Sequence, residues 1–133
     1  MSGSGCAIVC AGDILSTGRT VCGILEKQGV HPTLVNARFV KPLSVEFYSR
    51  LFGAHGHVVT MENNSLAAGF GSSLLELAAG AGIPVSPILR LGYPDSFIEH
   101  GSNAQILEKI GLDPKSAADR VARFVRSGNP GAQ

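Results

Sequence analysis

The chain has 133 residues, the size of one domain with its own core. Hydrophobic residues make up 44% of it and charged residues 16%, a composition that excludes a disordered polypeptide. Its net charge of +1 creates no field that would attract nucleic acid or an anionic membrane. Because the charged fraction lies below the usual value of about a quarter, we expect part of the surface to be covered by another domain or subunit; a compact, glycine-rich monomer is the alternative.

The cysteines and the start of the chain bear on the cellular compartment. Cys6, Cys10 and Cys22 form no Cys-x-x-Cys pair and lie in apolar segments. This spacing gives no structural zinc motif and is typical of buried, unreactive thiols in a reducing environment. The first residues do not resemble a signal peptide, and no apolar run is long enough to cross a membrane. We therefore expect a cytoplasmic protein that contacts neither membrane nor nucleic acid.

Short apolar runs alternate with segments of helical periodicity. The runs predicted as strands are 7–11, 33–40, 57–61 and 85–91. A helix is predicted after each of the first three strands, and two follow the fourth, the last of them capped by Asp113. Right-handed crossovers then give an α/β fold, a three-layer αβα sandwich with a mostly parallel sheet of about five strands. Because Pro84 and Pro87 cannot donate to a ladder, we expect the last predicted strand to begin irregularly or to lie at an edge, where antiparallel pairing is also allowed.

The expected domain covers residues 6–126. Residues 1–5 form a short tail before it. Residues 127–133 are small and polar, so we expect a disordered tail after it.

Two polar or glycine-rich stretches follow the third predicted strand. Glu62-Asn63-Asn64 stands at the edge where open α/β sheets place ligands. A polar turn whose carboxylate caps the next helix explains the same residues, and the sequence favours neither interpretation. Gly69 and Gly71 open that helix, where backbone N–H groups can hold a phosphate. Because the full Gly-x-Gly-x-x-Gly motif is absent, close packing of the helix on the sheet is the stronger interpretation of these glycines.

The remaining polar candidates are scattered. Four histidines without metal-ligand spacing occur at His31, His55, His57 and His100. Asp95 and His100 share a turn and could meet for acid–base chemistry, but no nucleophile stands beside them and a solvated turn explains them as well. Arg38 and Lys41 flank the end of the second strand, where they could contact a phosphate or an acidic partner.

Three motifs, in this order and spacing, resemble a known family. They are Asn36-Ala-Arg-Phe-Val-Lys-Pro-Leu43, Val59-Thr-Met-Glu-Asn-Asn64 with Gly69-Phe70-Gly71-Ser72, and Leu91-Gly-Tyr-Pro-Asp-Ser-Phe-Ile-Glu-His-Gly101. They are similar to the C-terminal domain of the 1-deoxy-D-xylulose-5-phosphate synthases, which are thiamine-diphosphate enzymes of the transketolase family. The similarity runs from about Ala7 to Phe124, nearly the whole chain.

The resemblance implies a complete enzyme that joins pyruvate to glyceraldehyde 3-phosphate with loss of CO2, at the start of a route to isoprenoids. In the family, other domains hold thiamine diphosphate and its Mg2+, so this chain alone is expected to bind no cofactor and to be inactive. Its implied role is to support those domains, in the same chain or a separate subunit, within a homodimer or hetero-oligomer. The alternative is an autonomous α/β module that binds a nucleotide or sugar phosphate at Gly69–Ser73.

The resemblance also marks residues of the family motifs as candidates for a site or an interface. They are Arg38, Lys41, Glu62, Asn64, Gly69, Phe70, Gly71, Ser72, Asp95 and His100. The chain departs from the family at Glu62-Asn63-Asn64, where the family has Glu-Glu-Asn, and it lacks one glycine of Gly-Gly-x-Gly-Ser. Because apolar residues in polar turns have no evident role in a core, Leu66, Phe70 and Phe39 are expected to lie in an uncovered apolar patch.

Overall fold

The structure, a computed structural model, describes residues 5–37, 43–66, 69–94 and 101–127, with the backbone alone at Asn64, Ser65 and Asn103. Its strands are β1 (Gly5–Ala11), β2 (Thr33–Asn36), β3 (His55–Ser65) and β4 (Ile88–Tyr93). Its helices are α1 (Leu15–Lys27), α2 (Val45–Ala54), α3 (Phe70–Ala81), α4 (Asn103–Lys109) and α5 (Pro114–Ser127). Strands and helices follow the predicted order, so the α/β class is confirmed.

The sheet is parallel, with the strand order β2-β1-β3-β4. β1 lies inside it and pairs Ala7 with Thr33 of β2 and with Val58 of β3. β4 lies at an edge, as its prolines predicted, and begins at Ile88 directly after Pro87. Within the described residues the sheet has four strands rather than about five, and the antiparallel pairing that the prolines allowed does not occur there because β4 runs parallel to β3.

β3 is longer than the sequence predicted. Its apolar run ends at Met61, yet the strand continues to Ser65. Glu62 pairs with Ala11 of β1, and Ser65 pairs with Tyr93 of β4. The prediction of a polar turn directly after Met61 was wrong, because neighbouring strands on both sides hold this polar segment in the ladder.

Other boundaries differ by a few residues. β2 ends at Asn36, and the last part of its predicted run, 38–40, lies outside the described residues. Gly80 lies inside α3, one residue before its last residue, Ala81. The helix stops at Gly82, whose φ of +68° is a conformation that glycine adopts without strain.

Alternate side chains of β1 face two hydrophobic cores. Cys6, Ile8 and Cys10 face the core that the sheet forms with α1 and α5. Ala7 and Val9 face the core that it forms with α2 and α3. Helices therefore cover both faces of the sheet, and the predicted three-layer sandwich is confirmed.

The topology identifies one crevice at the carboxyl edge of the sheet. After β1 the chain crosses through α1 to β2, whereas after β3 it crosses through α3 to β4, on the opposite side of the β1–β3 pair. Ligands of open α/β sheets bind where neighbouring strands lead away in opposite directions. The loops after β1 and β3 border that position.

Candidate functional site

Glu62 is fully buried at the end of β3 and caps helix α3. Its Oε1 accepts a hydrogen bond from the N–H of Phe70 at 2.7 Å, and its Oε2 accepts one from the N–H of Gly71 at 2.9 Å. The carboxylate thus satisfies two N–H groups that the helix leaves unpaired and places negative charge at the positive end of the helix dipole. Of the two interpretations that the sequence left open, the structure shows the helix-capping carboxylate.

Gly71 lets α3 approach the sheet at this point. A Cβ on Gly71 would lie 2.7 Å from Arg90 Nε, 3.1 Å from Thr60 Oγ1 and 3.2 Å from Glu62 Oε2. The prediction that glycine serves close helix-to-sheet packing is confirmed here. Two of the N–H groups that were candidates for a phosphate site, those of Phe70 and Gly71, are already paired with Glu62, so these two are not available to a phosphate.

Arg90, which sequence reasoning missed, holds the loop that leads into α3. Its Nη2 donates a hydrogen bond to the carbonyl oxygen of Leu66 and another, at 2.7 Å, to Ser72 Oγ. Ser72 Oγ in turn donates to the carbonyl oxygen of Leu66 at 2.7 Å. The available signal was a single cation between Leu89 and Leu91 in an otherwise apolar strand.

We call Leu66 together with Gly69–Ser72 the β3–α3 junction. All of the hydrogen-bonding partners just described for Glu62 and Arg90 belong to it. Thr60 and Glu62 on β3 and Arg90 on β4 lie on the face of the sheet that packs against α3, and they form a polar area beneath its first turn. Thr60 is directly opposite Arg90 in the strand register.

Asn63 lies above Gly12 at the crevice between β1 and β3. Gly12 has a φ of +81°, and a Cβ there would be 2.5 Å from Asn63 Oδ1. The left-handed backbone favours glycine at this position, and the absence of a side chain lets Asn63 Oδ1 come close. Asn63 and Gly12 are exposed, so the crevice presents an amide and backbone groups but holds no buried catalytic group between them.

The apolar residues of the junction have a role in the core, contrary to the expectation of an uncovered patch. Phe70 packs into the core beside Tyr48, with 6.1 Å between the ring centroids. Leu66 packs over Gly92, where a Cβ would lie 2.6 Å from Leu66 Cδ2. Phe39, the third residue of the expected patch, lies outside the described residues.

The described histidines do not converge. His55 Nδ1 lies 2.9 Å from the carbonyl oxygen of Leu51, and its Nε2 lies 3.2 Å from Thr33 Oγ1, so both ring nitrogens serve local contacts. The His57 ring packs edge-on against Phe124. His31 is exposed.

The cysteines are free thiols, as predicted. Burial raises the pKa of Cys6 and of Cys10 to about 12. Cys22 is partly buried, and burial together with the nearby Glu26 carboxylate raises its pKa as well. A raised pKa keeps these groups protonated and unreactive at neutral pH.

Several candidates lie outside the described residues. These are Arg38, Lys41, Asp95, His100 and the side chain of Asn64. Their roles remain the predictions made from the sequence.

The described residues do not fit a thiamine diphosphate or metal site. Across 5–37, 43–66, 69–94 and 101–127, no three His, Cys, Asp or Glu side chains are grouped so that they could hold a metal ion. Both oxygens of the one fully buried carboxylate, that of Glu62, are engaged by helix N–H groups.

None of the helices in the described part of the chain is long and apolar enough to cross a membrane.

Comparison with known proteins gives a consistent family. Residues 1–116 match the family described as transketolase, C-terminal domain. A 1-deoxy-D-xylulose-5-phosphate synthase of Dehalococcoides mccartyi is 38% identical over 131 residues, which are 98% of this chain and 20% of the relative. The synthase of Caldanaerobacter subterraneus subsp. tengcongensis is 40% identical over 121 residues, 91% of this chain and 19% of the relative. The chain thus spans about a fifth of the length of these relatives.

Solved structures agree with the fold. A split gene transketolase, described as an inactive beta4 tetramer, matches with a TM-score of 0.78 and 24% identity over 98% of this chain and 41% of that one. The transketolase of Campylobacter jejuni matches with a TM-score of 0.61 and 16% identity over 90% of this chain and 17% of that one. Together with the sequence matches, the resemblance seen in the motifs is confirmed, and the chain belongs to the transketolase C-terminal domain family.

Proposed function

We propose that this chain is the C-terminal domain of a thiamine-diphosphate-dependent 1-deoxy-D-xylulose-5-phosphate synthase. The observation that carries the proposal is the identity of 38–40% to proteins of that name over more than nine-tenths of the chain. The complete enzyme would join pyruvate to glyceraldehyde 3-phosphate, release CO2 and supply a route to isoprenoids. The chemistry would take place on domains that this chain does not contain.

The role proposed for this chain is structural. Its best-placed carboxylate, Glu62, is buried and used to cap a helix, and the exposed crevice beside it presents the Asn63 amide above Gly12. Thiamine diphosphate and Mg2+ would be held by the remaining four-fifths of the enzyme. By itself the chain would be inactive.

The assembly proposed for the chain follows from its share of the relatives' length. The domains that bind thiamine diphosphate would be its partners, in the same polypeptide or in another, within a homodimer or hetero-oligomer. The low charged fraction of 16% supports a surface that is covered in that assembly. The unpaired cysteines support a cytoplasmic location.

A chimera tests the synthase assignment. The C-terminal domain of the Thermomicrobium roseum synthase, to which this chain is 40% identical over 123 residues, would be replaced by this chain, and formation of 1-deoxy-D-xylulose 5-phosphate would be measured. The control is the same enzyme with its own domain rejoined at the same junction. We expect the chimera to retain activity. A folded chimera that binds thiamine diphosphate but makes no product would contradict the assignment.

Titration calorimetry tests whether the isolated chain binds the cofactor. The purified chain, titrated with thiamine diphosphate and Mg2+, should show no saturable heat. Nucleotides and sugar phosphates would be titrated in parallel, because saturable binding of one of them would support the autonomous module instead. Within Gly69–Ser73, the pairing of the Phe70 and Gly71 N–H groups with Glu62 speaks against that alternative.

A further inference from the structure

We propose that Glu62 and Arg90 act as one latch that holds the β3–α3 junction in a single conformation. The two side chains bind different groups of the junction. Glu62 accepts from the N–H groups of Phe70 and Gly71 in the helix. Arg90 donates to the carbonyl oxygen of Leu66 in the preceding loop and to Ser72 Oγ in the first turn of the helix. The inference concerns the chain itself and does not depend on the proposed function.

The two charged groups share one small buried space. Glu62 Oε2 and Arg90 Nε lie 3.2 Å and 2.7 Å from the position that a Cβ on Gly71 would occupy. Among the described residues, they nevertheless form no direct ion pair with each other. Their attraction therefore acts across the space that the missing side chain of Gly71 leaves open, and a larger residue at this position would separate the two charges.

Packing alone does not require charges at these positions. The same face of the sheet is apolar elsewhere, at Ala7, Val9 and Val58, and packs well there against α2 and α3. Burying a charged pair commonly costs as much as it returns, so apolar residues would serve stability at least as well. What the pair adds is directionality, because Glu62 can accept from Phe70 and Gly71 while Arg90 Nη2 donates to Leu66 and Ser72 only when the junction is placed as observed.

The latch also fixes what the crevice presents. Asn63 directly follows Glu62 and precedes Leu66, so it belongs to a segment held at both ends by the two charges. Its Oδ1 is thereby kept close above Gly12. The latch would thus set the shape of the carboxyl edge of the sheet between β1 and β3.

Hydrogen exchange on the purified chain tests the coupling. The variants are Glu62→Gln, Arg90→Met and the two combined, and the control is Arg50→Met, which removes an exposed arginine paired with Glu46 at 2.7 Å. The informative amides are those that each side chain does not touch. Glu62→Gln should speed exchange at the Leu66 amide, and Arg90→Met should speed it at the Phe70 and Gly71 amides.

Each cross effect should be roughly tenfold or more, the size found for residues that share one polar network. In the combined variant, the increase in exchange rate should be smaller than the product of the increases in the two single variants. The reason is that neither charge is then left buried without the other. The control should leave all these amides unchanged. Effects confined to directly bonded amides, or single effects that simply multiply, would overturn the latch.

Conservative variants keep the test valid if a single variant unfolds. Arg90→Lys and Glu62→Asp keep the charge but reach fewer of the junction's groups, and urea denaturation would confirm that they are folded. They should show the same cross effects at smaller size. Protection equal to that of the unchanged chain in both variants would also overturn the proposal.

Discussion

The ring of Phe124 meets the ring of His57 edge-on, with 5.2 Å between the centroids and planes at 87°. The contact joins the last helix to the beginning of β3, so α5 is anchored to the interior of the sheet. Phe124 is fully buried in the core that α1 and α5 share with the sheet.

Phe124→Ala should therefore lower the free energy of unfolding by about 3–5 kcal/mol, because it removes apolar surface and leaves a cavity. Phe124→Leu should cost less, since it restores most of the volume and loses the aromatic contact. Urea denaturation measures both. Val85→Ala is the control: Val85 is 48% exposed, and the change should stay within about 0.5 kcal/mol. Equal losses for Phe124→Ala and Val85→Ala would contradict the anchoring role of α5.

Ser44 caps α2, its Oγ accepting a hydrogen bond from the N–H of Phe47 at 3.0 Å. Ser44→Ala should cost about 1 kcal/mol of unfolding free energy, and Ser44→Asp should retain most of it. Ser16→Ala, on the exposed face of α1, is the matched control and should be neutral or slightly stabilising. Thermal denaturation distinguishes these outcomes, and a neutral Ser44→Ala would show that the cap contributes nothing to α2.

The order of elements was predictable because it depends on local patterns. Ala7, Ile8 and Val9 are consecutive apolar residues, a pattern that indicates a strand covered on both faces. Asp113 is recognisable as a helix cap from its position before Pro114. Ser116 N–H does donate to Asp113 Oδ2, at 3.2 Å.

The candidate site was less predictable because it depends on contacts between distant residues. Glu62 looked like part of a turn, since its partners, the N–H groups of Phe70 and Gly71, reach it only once α3 lies on the sheet. The sequence shows Arg90 only as a charged residue within an apolar strand. Its role could not be predicted because the carbonyl that it binds belongs to Leu66, 24 residues earlier. Periodicity records which face is apolar but not which backbone group approaches a charge.

The buried thiols predict a dependence of stability on alkaline pH. Burial raises the pKa of Cys6 and Cys10 from 9.0 to about 12. The folded state therefore holds these protons more tightly than the unfolded state. Stability is fully present below pH 9 and should fall between pH 9 and pH 12, by about 1.4 kcal/mol per pH unit for each group.

Urea denaturation as a function of pH measures this slope. Tyr48, whose pKa burial raises from 10.0 to about 12, adds to it above pH 10. Cys10→Ala should reduce the slope between pH 9 and pH 10, whereas the exposed control Ser16→Ala should not. A thiol reagent at pH 8 should modify Cys6 and Cys10 only after unfolding. A stability that stays constant from pH 8 to pH 11 would contradict the prediction.

Gly71 provides the most direct test of how closely α3 sits on the polar area of the sheet. A Cβ at this position would lie 2.7 Å from Arg90 Nε, closer than such contacts normally come, so the arginine or the helix must move. Gly71→Ala should therefore lower the free energy of unfolding by about 1–3 kcal/mol, as overpacking does. Gly80, in the same helix, has nothing within 4 Å of its Cβ position, and Gly80→Ala should stabilise the chain by about 0.5–1 kcal/mol through helix propensity. Urea denaturation of the two variants should thus give changes of opposite sign. Stabilisation by both would show that the first turn of α3 stands farther from Arg90 and Thr60 than the structure has it.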